Sequence, residues 1–274
     1  MHSAPDQSQS QVITQAIGRI LDEGSRGVLA TLLQAEAGVG AKLLLTENGA
    51  SLGSFGEVKL DEAVRRHATS FLMSHGEAST FRVKEFAPEL EAWADARVLF
   101  ERIEPEPRLV VCGAGHVGAS LARLAALVGY SVTLIDDRME FVKPEIFSED
   151  AIQAVVAENW AETVRAAIGN GRGVAVAIVT RGHKEDEECL RAIVANPPDY
   201  VGLIGSKRRT NFVLEKLRDE GVAEEKLRQL RAPVGLDLGA VSPEEVALAI
   251  LAEIVAQRRG GKGGSLSAWR RPGV

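Results

Sequence analysis

The chain has 274 residues, of which 45% are hydrophobic and 26% charged, and its formal net charge is −6. It is too apolar for a disordered protein and lacks the excess of Lys and Arg that a dedicated nucleic-acid binder needs. Cys112 and Cys189 are its two cysteines. They exclude a disulfide framework within the chain and favour a reducing, cytoplasmic location, with both thiols in packing roles. No apolar run reaches the ~20 residues of a membrane span, and we expect no signal peptide.

The first hundred residues predict a small α+β domain. Hydrophobic residues recur at helical spacing between Val12 and Leu21, and short apolar runs separated by turn signals follow. We predict strands at 28–33, 42–46, 81–86 and 96–103 and a helix at 61–74. Two prolines in segment 104–108 favour an extended linker. We therefore place an N-terminal domain at residues 1–103.

Strands and helices then alternate, which is typical of a parallel sheet with helices on both faces. We predict strands at 109–112, 131–135, 152–156, 174–180 and 200–204, and helices at 117–128, 161–168, 185–194, 207–220 and 243–257. The fold class is α/β, with a Rossmann-like domain at 108–260 whose fourth strand lies beside its first. Residues 261–274 form a Gly- and Arg-rich segment that we expect to be a flexible tail.

A glycine-rich loop follows the first strand of this domain. Gly113 permits a tight turn, Gly115 lets a phosphate approach the backbone, and Gly118 lets the helix pack on the strand. The start of that helix offers free N–H groups to an anion. His116 lies within the loop, either over a bound pyrophosphate or as an exposed residue. The glycines are also compatible with a purely structural role.

The second strand ends in an acidic residue. Asp136 comes 23 residues after Gly113, where a carboxylate usually accepts ribose hydroxyls. Arg138 follows in the same motif. We include both residues among the cofactor-binding candidates.

A second polar cluster follows the fourth strand and contains Thr180, His183 and Asp186. Loops after the first and fourth strands flank the point where ligands bind in such sheets, so His116 and His183 should project into one crevice. Asp186 lies about one helical turn beyond His183 and could orient it. The cluster could bind a metal, orient an anion or perform acid–base chemistry. Alternatively, His183 caps its helix or is a solvated loop residue.

Two further segments are candidates for ligand binding. The fifth strand leads into a glycine turn and a basic helix start, which suit a phosphate or carboxylate unless the cations are a solvated surface. The residues concerned are Gly205, Ser206, Lys207, Arg208 and Arg209. Asp237 lies in a loop with two glycines that could close over the crevice or be a structural turn.

Taken together, these segments resemble the XdhC/CoxI family, the xanthine dehydrogenase accessory factors. The motifs are VVCGAGHVGASLARLAALVGYSVTLIDDR, TRGHKEDEECL, YVGLIGSKRR and APVGLDLGAVSPEEVALAILAEIVAQRR. The resemblance is strong over residues 106–260 and weaker at the N-terminus, through ENGASLGSFGEVKLDEAV. It implies a cytoplasmic chaperone that binds the molybdenum cofactor, molybdopterin. The chaperone would deliver that cofactor in sulfurated form to a xanthine dehydrogenase-type molybdenum hydroxylase, with a cysteine desulfurase as a possible further partner.

The N-terminal segment departs from the family pattern. The family commonly has a Gly-rich run followed by Cys-Leu-Glu or a similar Leu-Glu pair, whereas residues 53–60 here read GSFGEVKL, without a cysteine. A role for an N-terminal thiol in holding sulfur or molybdenum is therefore in doubt for this chain.

Two other function classes remain open from the sequence. The glycine loop and Asp136 are compatible with an NAD(P)-binding oxidoreductase that uses His183 as its acid–base residue, although no Tyr-x-x-x-Lys constellation accompanies them. A protein-interaction scaffold with a relic site is the other class.

We also expect a homodimer. The C-terminal helix has an apolar face broad enough to require a partner, unless it packs on the sheet alone. That face consists of Val246, Ala247, Ile250, Leu251, Ile254 and Val255.

Overall fold

The computed structural model describes residues 7–74, 76–147 and 149–267, and these form two compact units that divide between Pro105 and Glu106. Of the predicted tail, residues 268–274 lie outside the described residues. Within the described ranges, no helix has the length and apolarity needed to cross a bilayer.

The N-terminal unit is an antiparallel sheet with one long helix on each face. Its strands are ordered β3-β2-β1-β5-β4. Helix α1 packs on one face through Ile13 and Ile20, and helix α2 packs on the other through Leu60 and Val64. The elements are α1 (Gln7–Asp22), β1 (Gly27–Gln34), β2 (Lys42–Thr46), β3 (Ser51–Gly53), α2 (Val58–Met73), β4 (Ala78–Arg82), α3 (Val83–Phe86) and β5 (Arg97–Ile103).

One predicted strand of this unit is partly wrong. The pattern at 81–86 predicts a strand, but β4 ends at Arg82 and the chain turns into the short helix α3. The Glu85 carboxylate accepts the backbone N–H of Arg82 at 2.5 Å and so caps the first turn of that helix. Val83 is fully buried.

The C-terminal unit is a five-stranded parallel sheet in the order β10-β9-β6-β7-β8. This order confirms that the fourth strand of the domain, β9, lies beside the first, β6. The elements are β6 (Arg108–Cys112), α4 (His116–Leu127), β7 (Ser131–Asp136), β8 (Ile152–Val156), α5 (Trp160–Ile168), β9 (Val174–Ile178), α6 (His183–Ala195), β10 (Tyr200–Leu203), α7 (Lys207–Asp219), α8 (Glu224–Leu227) and α9 (Pro243–Arg259).

Alternating strand residues divide between two cores, one on each face of this sheet. Leu109 and Val111 of β6 join the core made with α4 and α9, whereas Val110 and Cys112 join the core made with α5, α6 and α7. Cys189 of α6 lies in the second core, and both cysteines are fully buried. Burial raises the pKa of the Cys189 thiol. The cysteines therefore serve packing, as the sequence predicted.

Helix α9 starts as its sequence predicts and packs within its own unit. Ser242 and Glu245 form a capping box, and Pro243 occupies the first helical position. Four of the six residues on which we based a homodimer are buried in the core with α4, namely Ala247, Ile250, Leu251 and Ile254. Most of this apolar face is thus covered by the chain itself, so the argument for a dimer through it does not hold.

Segment 231–234, which precedes α9 in the chain, covers the outer side of β10. Arg231 donates its N–H to Val201 and accepts the N–H of Leu203, both at 2.9 Å, and Val234 donates to Leu203 at 3.0 Å. Beyond this segment, the Glu253 carboxylate accepts the N–H of Gly235 at 2.7 Å. These bonds fix the segment against the edge of the sheet and tie its end to α9.

Candidate functional site at the carboxyl edge of the parallel sheet

The loops that follow the five parallel strands meet at one side of the sheet, here called the carboxyl edge. Helix α4 leaves the edge toward one face and α6 toward the other, since they belong to different cores. The sheet therefore changes winding direction between β6 and β9, and ligands of doubly wound folds bind at such a switch point.

The three glycines of the loop after β6 have distinct roles. Gly113 has φ +111°, and a Cβ there would lie 2.6 Å from the carbonyl oxygen of Val179. A Cβ on Gly118 would overlap the carbonyl oxygen of Gly113, so the helix packs against the loop only because this residue is glycine. In contrast, a Cβ on Gly115 would meet no atom within 4 Å. Gly113 and Gly118 hold the loop, and Gly115 faces open space.

The N-terminus of α4 presents hydrogen-bond donors at this open position. Its N-cap is Gly115, which has no capping side chain, and its first turn contains no acidic residue. In the described part of the chain, the backbone N–H groups of His116 and Val117 have no acceptor. His116 is exposed. A helix start of this kind attracts anions.

Asp136 is buried and hydrogen-bonded to the glycine loop and to Arg138. It is 2% exposed, and its carboxylate accepts four hydrogen bonds: from the N–H of Ala114 at 2.7 Å, the N–H of Arg138 at 2.9 Å, and the Arg138 Nε and Nη2 at 2.9 and 3.0 Å. Burial favours a higher pKa for this carboxyl, but the hydrogen bonds and the charge of Arg138 outweigh it and lower the pKa. A carboxylate has about four acceptor positions. A ribose diol would have to displace one of these bonds, which differs from the role that the sequence predicted.

Asp186 is also engaged within the protein. It is fully buried and accepts a hydrogen bond from the Thr180 hydroxyl at 2.6 Å and two from Arg209, at 2.8 Å from Nε and 2.5 Å from Nη2. Burial raises the pKa of this carboxyl, and the bonds from Thr180 and Arg209 oppose that rise. The expectation that Asp186 orients His183 is therefore wrong, because its oxygens are directed to other residues.

His183 is the first residue of α6 and is exposed, with its ring edge-on to Phe212 at a centroid distance of 5.6 Å. The first turn of α6 contains Glu185 and Asp186, so this helix start is less favourable to anions than that of α4. His116 and His183 lie at the same carboxyl edge, at the starts of helices on opposite faces of the sheet.

The loop after β10 carries exposed cations. Ser206 caps α7 by accepting the N–H of Arg209 at 3.3 Å. Lys207 and Arg208 are exposed, and neither has a carboxylate partner among the residues that the structure describes. Gly205 has φ +154°, and a Cβ there would lie 3.3 Å from the Arg209 Cδ. Glycine thus lets the Arg209 side chain lie against the turn.

The predicted candidates other than Asp237 lie at strand ends or in the loops and helix starts that directly follow the strands at the carboxyl edge. Asp237 is exposed, follows the segment beside β10, and makes no hydrogen bond to any described residue. Within the described ranges, no group of three or more His, Cys, Asp or Glu residues could hold a metal ion. Arg209 was not distinguished from the rest of its basic run by sequence reasoning. Its position as the third residue of α7 could have distinguished it, because a side chain at that position points back toward the helix start.

The strand order and the glycine loop define a protein with a Rossmann-type domain. The uncapped start of α4 lies at the switch point of that domain. The chain belongs to the XdhC family: residues 109–254 match the XdhC Rossmann domain, and residues 20–84 match the XdhC and CoxI family. The resemblance drawn from the motifs is therefore confirmed.

Three curated relatives are similar to this chain. It is 36% identical over 159 residues to the uncharacterized protein YqeB of Escherichia coli K12, and 28% over 217 residues to a probable xanthine dehydrogenase subunit of Bacillus subtilis 168. It is 27% identical over 154 residues to the molybdenum cofactor insertion chaperone PaoD of E. coli K12. These matches cover 58%, 79% and 56% of this chain but only 28%, 57% and 41% of the relatives. The chain thus spans less than two thirds of each relative.

A solved structure has a similar fold. The crystal structure of a xanthine dehydrogenase from Bacillus halodurans aligns with 93% of this chain and 98% of its own, with a TM-score of 0.50 and 17% sequence identity. At this identity the likeness shows the fold alone.

Proposed function

We propose that this protein is an accessory factor that binds the molybdenum cofactor and delivers it to a xanthine dehydrogenase-type molybdenum hydroxylase. Membership of the XdhC family supports this role, as do the names of two relatives, a molybdenum cofactor insertion chaperone and a probable xanthine dehydrogenase subunit. Here the cofactor is cargo that the protein carries, so no catalytic turnover is required of its residues.

The main support for the proposal comes from the backbone N–H groups at the start of α4, which are unpaired among the residues that the structure describes. Molybdopterin bears a phosphate, and the free N–H groups of His116 and Val117 lie beside the open side of Gly115. A phosphate can therefore approach the backbone and be stabilised by the helix dipole. Lys207 and Arg208, exposed at the same edge, add positive charge. The exposed imidazoles of His116 and His183 would contact the rest of the guest from the two sides of the switch point.

The finer parts of this function are predictions. They are that the cofactor is carried in sulfurated form, that a cysteine desulfurase supplies the sulfur, that the protein works as a homodimer through a surface other than the covered face of α9, and that it acts in the cytoplasm. The binding set is Gly113, Gly115, His116, Gly118, Asp136, Arg138, Thr180, His183, Asp186, Gly205, Ser206, Lys207, Arg208 and Asp237. Within it, Asp136, Arg138, Thr180 and Asp186 would act by holding the loops.

The alternative, an NAD(P)-dependent oxidoreductase, is less well supported. Its adenosine ribose would need an acceptor at the end of β7, yet Asp136 already accepts four hydrogen bonds from Ala114 and Arg138. Titration with reduced nicotinamide, followed by its fluorescence, tests this function. Saturable binding would favour the alternative.

The decisive experiment uses the purified chain and the free molybdenum cofactor, which is molybdopterin with its molybdenum bound. Retention of the pterin after gel filtration is measured first, and then the activity that the loaded protein restores to a molybdenum hydroxylase apo-enzyme. We expect both at micromolar protein. Failure of both would refute the proposal.

A matched variant pair tests the role of the site. The double variant His116→Ala with His183→Ala should remain folded, because both residues are exposed, but should deliver less cofactor. The control is Lys59→Ala, an exposed change in the other unit. Unchanged delivery by the double-histidine variant would favour an interaction scaffold with a relic site.

A further inference from the structure

Arg209 is fixed along one side of its guanidinium. Its Nε and Nη2 donate to the Asp186 carboxylate at 2.8 and 2.5 Å, and Nη2 also lies 3.3 Å from the carbonyl oxygen of Thr180. Asp186 is fully buried, whereas the Arg209 side chain is 26% exposed. The guanidinium therefore cannot turn without leaving a buried carboxylate unpaired, which is costly.

The other side of this guanidinium has no partner. In the described residues, no acceptor bonds the Arg209 Nη1, which carries two N–H donors. The nearby Thr210 is 2% exposed, and its hydroxyl is buried without a hydrogen-bond partner. That hydroxyl would be 3.5 Å from a Cβ on Gly205, so it lies against the same turn.

The position of Arg209 links it to the switch point. Thr180, which bonds to both Asp186 and Arg209, packs directly on the glycine loop: a Cβ on Gly113 would lie 3.0 Å from the Thr180 Cα. A hydrogen bond at 2.9 Å from the N–H of Ile204 to the carbonyl of Ile178 joins the residue that follows β10 to the end of β9. Arg209, in the first turn of α7, is thus linked through Thr180 to the glycine loop that precedes α4.

We propose that Arg209 binds the same phosphate that the start of α4 accepts, and that Asp186 and Thr180 are positioning residues that aim its guanidinium. This inference deepens the proposed function and rests on it for the identity of the guest, a phosphate monoester. A guanidinium held along one side offers the other side to an oxyanion in a preorganised geometry, which a lysine ammonium does not reproduce. Lys207 and Arg208 add positive charge beside the guanidinium. The site therefore prefers a phosphate monoester, which carries more negative charge than a carboxylate.

Three substitutions, at Asp186 and Arg209, separate the positioning of the guanidinium from the effect of its charge. Asp186→Asn removes a negative charge near the site, so electrostatics alone predicts tighter phosphate binding. If Asp186 aims Arg209, binding weakens instead, by about fivefold or more. Arg209→Gln should weaken binding by at least about tenfold, and Arg209→Lys should do nearly the same because it loses the planar donor set. The control, Arg165→Gln, makes the same charge change at an exposed residue of α5 outside the binding set and should have an effect below about threefold.

The test uses inorganic phosphate as the probe, acetate as the carboxylate arm, and the full-length chain. Affinity is measured by NMR titration, and the thermal midpoint of each variant checks its folding. On the wild-type protein, the side-chain N–H signals of Arg209 should shift on addition of phosphate and not of acetate. This wild-type measurement decides the matter even if a variant fails to fold.

Two results would overturn the inference: phosphate leaving the Arg209 signals unmoved, or folded Asp186→Asn binding phosphate more tightly. Because the probe is inorganic phosphate, the outcome is separable from cofactor delivery. Phosphate bound at Arg209 without retention of molybdopterin would refute the proposed function and leave the subsite standing. Retention of molybdopterin at the wild-type level by the Arg209→Gln variant would support the proposed function and refute the phosphate subsite.

Discussion

The guanidinium of Arg138 forms a bidentate ion pair with the carboxylate of Asp136, with Nε 2.9 Å from one oxygen and Nη2 3.0 Å from the other. The same guanidinium carbon lies 3.9 Å from the centre of the Phe141 ring, within the range of a cation–π contact. Because Asp136 also accepts the N–H of Ala114, this pair fixes the glycine loop to the end of β7. The acid at this position thus stabilises the edge on which a ligand would lie.

Asp136→Asn should lower the free energy of unfolding by about 3–5 kcal/mol, since it leaves the partly buried Arg138 without its carboxylate and places an amide N–H group among donors. Urea denaturation measures the change. Asp137→Asn is the matched control: Asp137 pairs with Arg181 at 2.7 Å, but both side chains are exposed, so its cost should be about 0–1 kcal/mol. Equal costs for the two variants would contradict this role of Asp136.

The stability of the wild type should also depend on pH through Asp136. Its native pKa lies below the ordinary 3.8, because the bonds from Arg138 and Ala114 outweigh the effect of burial. The unfolded state therefore binds the proton first as pH falls, so this stabilisation is complete well above 3.8 and is lost as pH falls through the native pKa. The difference in unfolding free energy between wild type and Asp136→Asn should shrink across that window. A difference that stays constant from neutral to acid pH would contradict the assignment.

Gly118→Ala should disrupt the packing of α4, because its Cβ would overlap the carbonyl oxygen of Gly113. We expect a loss of more than about 3 kcal/mol, larger than that of ordinary overpacking because the clash is with backbone. Gly115→Ala is the control: its Cβ meets nothing within 4 Å and its φ is −65°, so stability should stay within about 1 kcal/mol. On the proposed function, however, Gly115→Ala should bind molybdopterin more weakly. The reverse order of stabilities would refute this account of the loop.

Ile250→Ala should behave as a substitution in the core of a single chain. Ile250 is fully buried in the core with α4, so unfolding should become easier by about 2–5 kcal/mol. Leu248→Ala on the same helix, where the side chain is 51% exposed, should change stability by less than about 0.5 kcal/mol. Sedimentation of both variants shows whether the mass in solution changes. A lower mass for Ile250→Ala with unchanged stability would indicate an intermolecular role.

Local rules explain why much of this fold is predictable from sequence. The capping box of Ser242 and Glu245 and the spacing of Gly113 and Gly118 are short-range patterns with one structural solution each. The strand order follows because βαβ connections are strongly constrained. The turn at Arg82 was missed because the competing bond, from its N–H to Glu85, interrupts an otherwise regular apolar alternation.

The partners of the polar site residues could not be predicted in the same way. Asp186 and Arg209 are 23 residues apart, on neighbouring helices, and no spacing rule links them. Asp186 was predicted to orient His183 because the two residues are near in sequence. The structure shows instead that the buried carboxylate bonds to Thr180 and Arg209, which reach it from neighbouring loops and helices.

The segment 231–234 has a consequence for the behaviour of the protein in concentrated solution. An outermost strand with free N–H and C=O groups is a template for pairing with another molecule, and proteins commonly block such strands. Here the bonds of Arg231 to Val201 and Leu203 occupy that side of β10. The parallel sheet therefore cannot be lengthened there by a foreign strand while the segment stays in place, which protects the protein from aggregating through that strand.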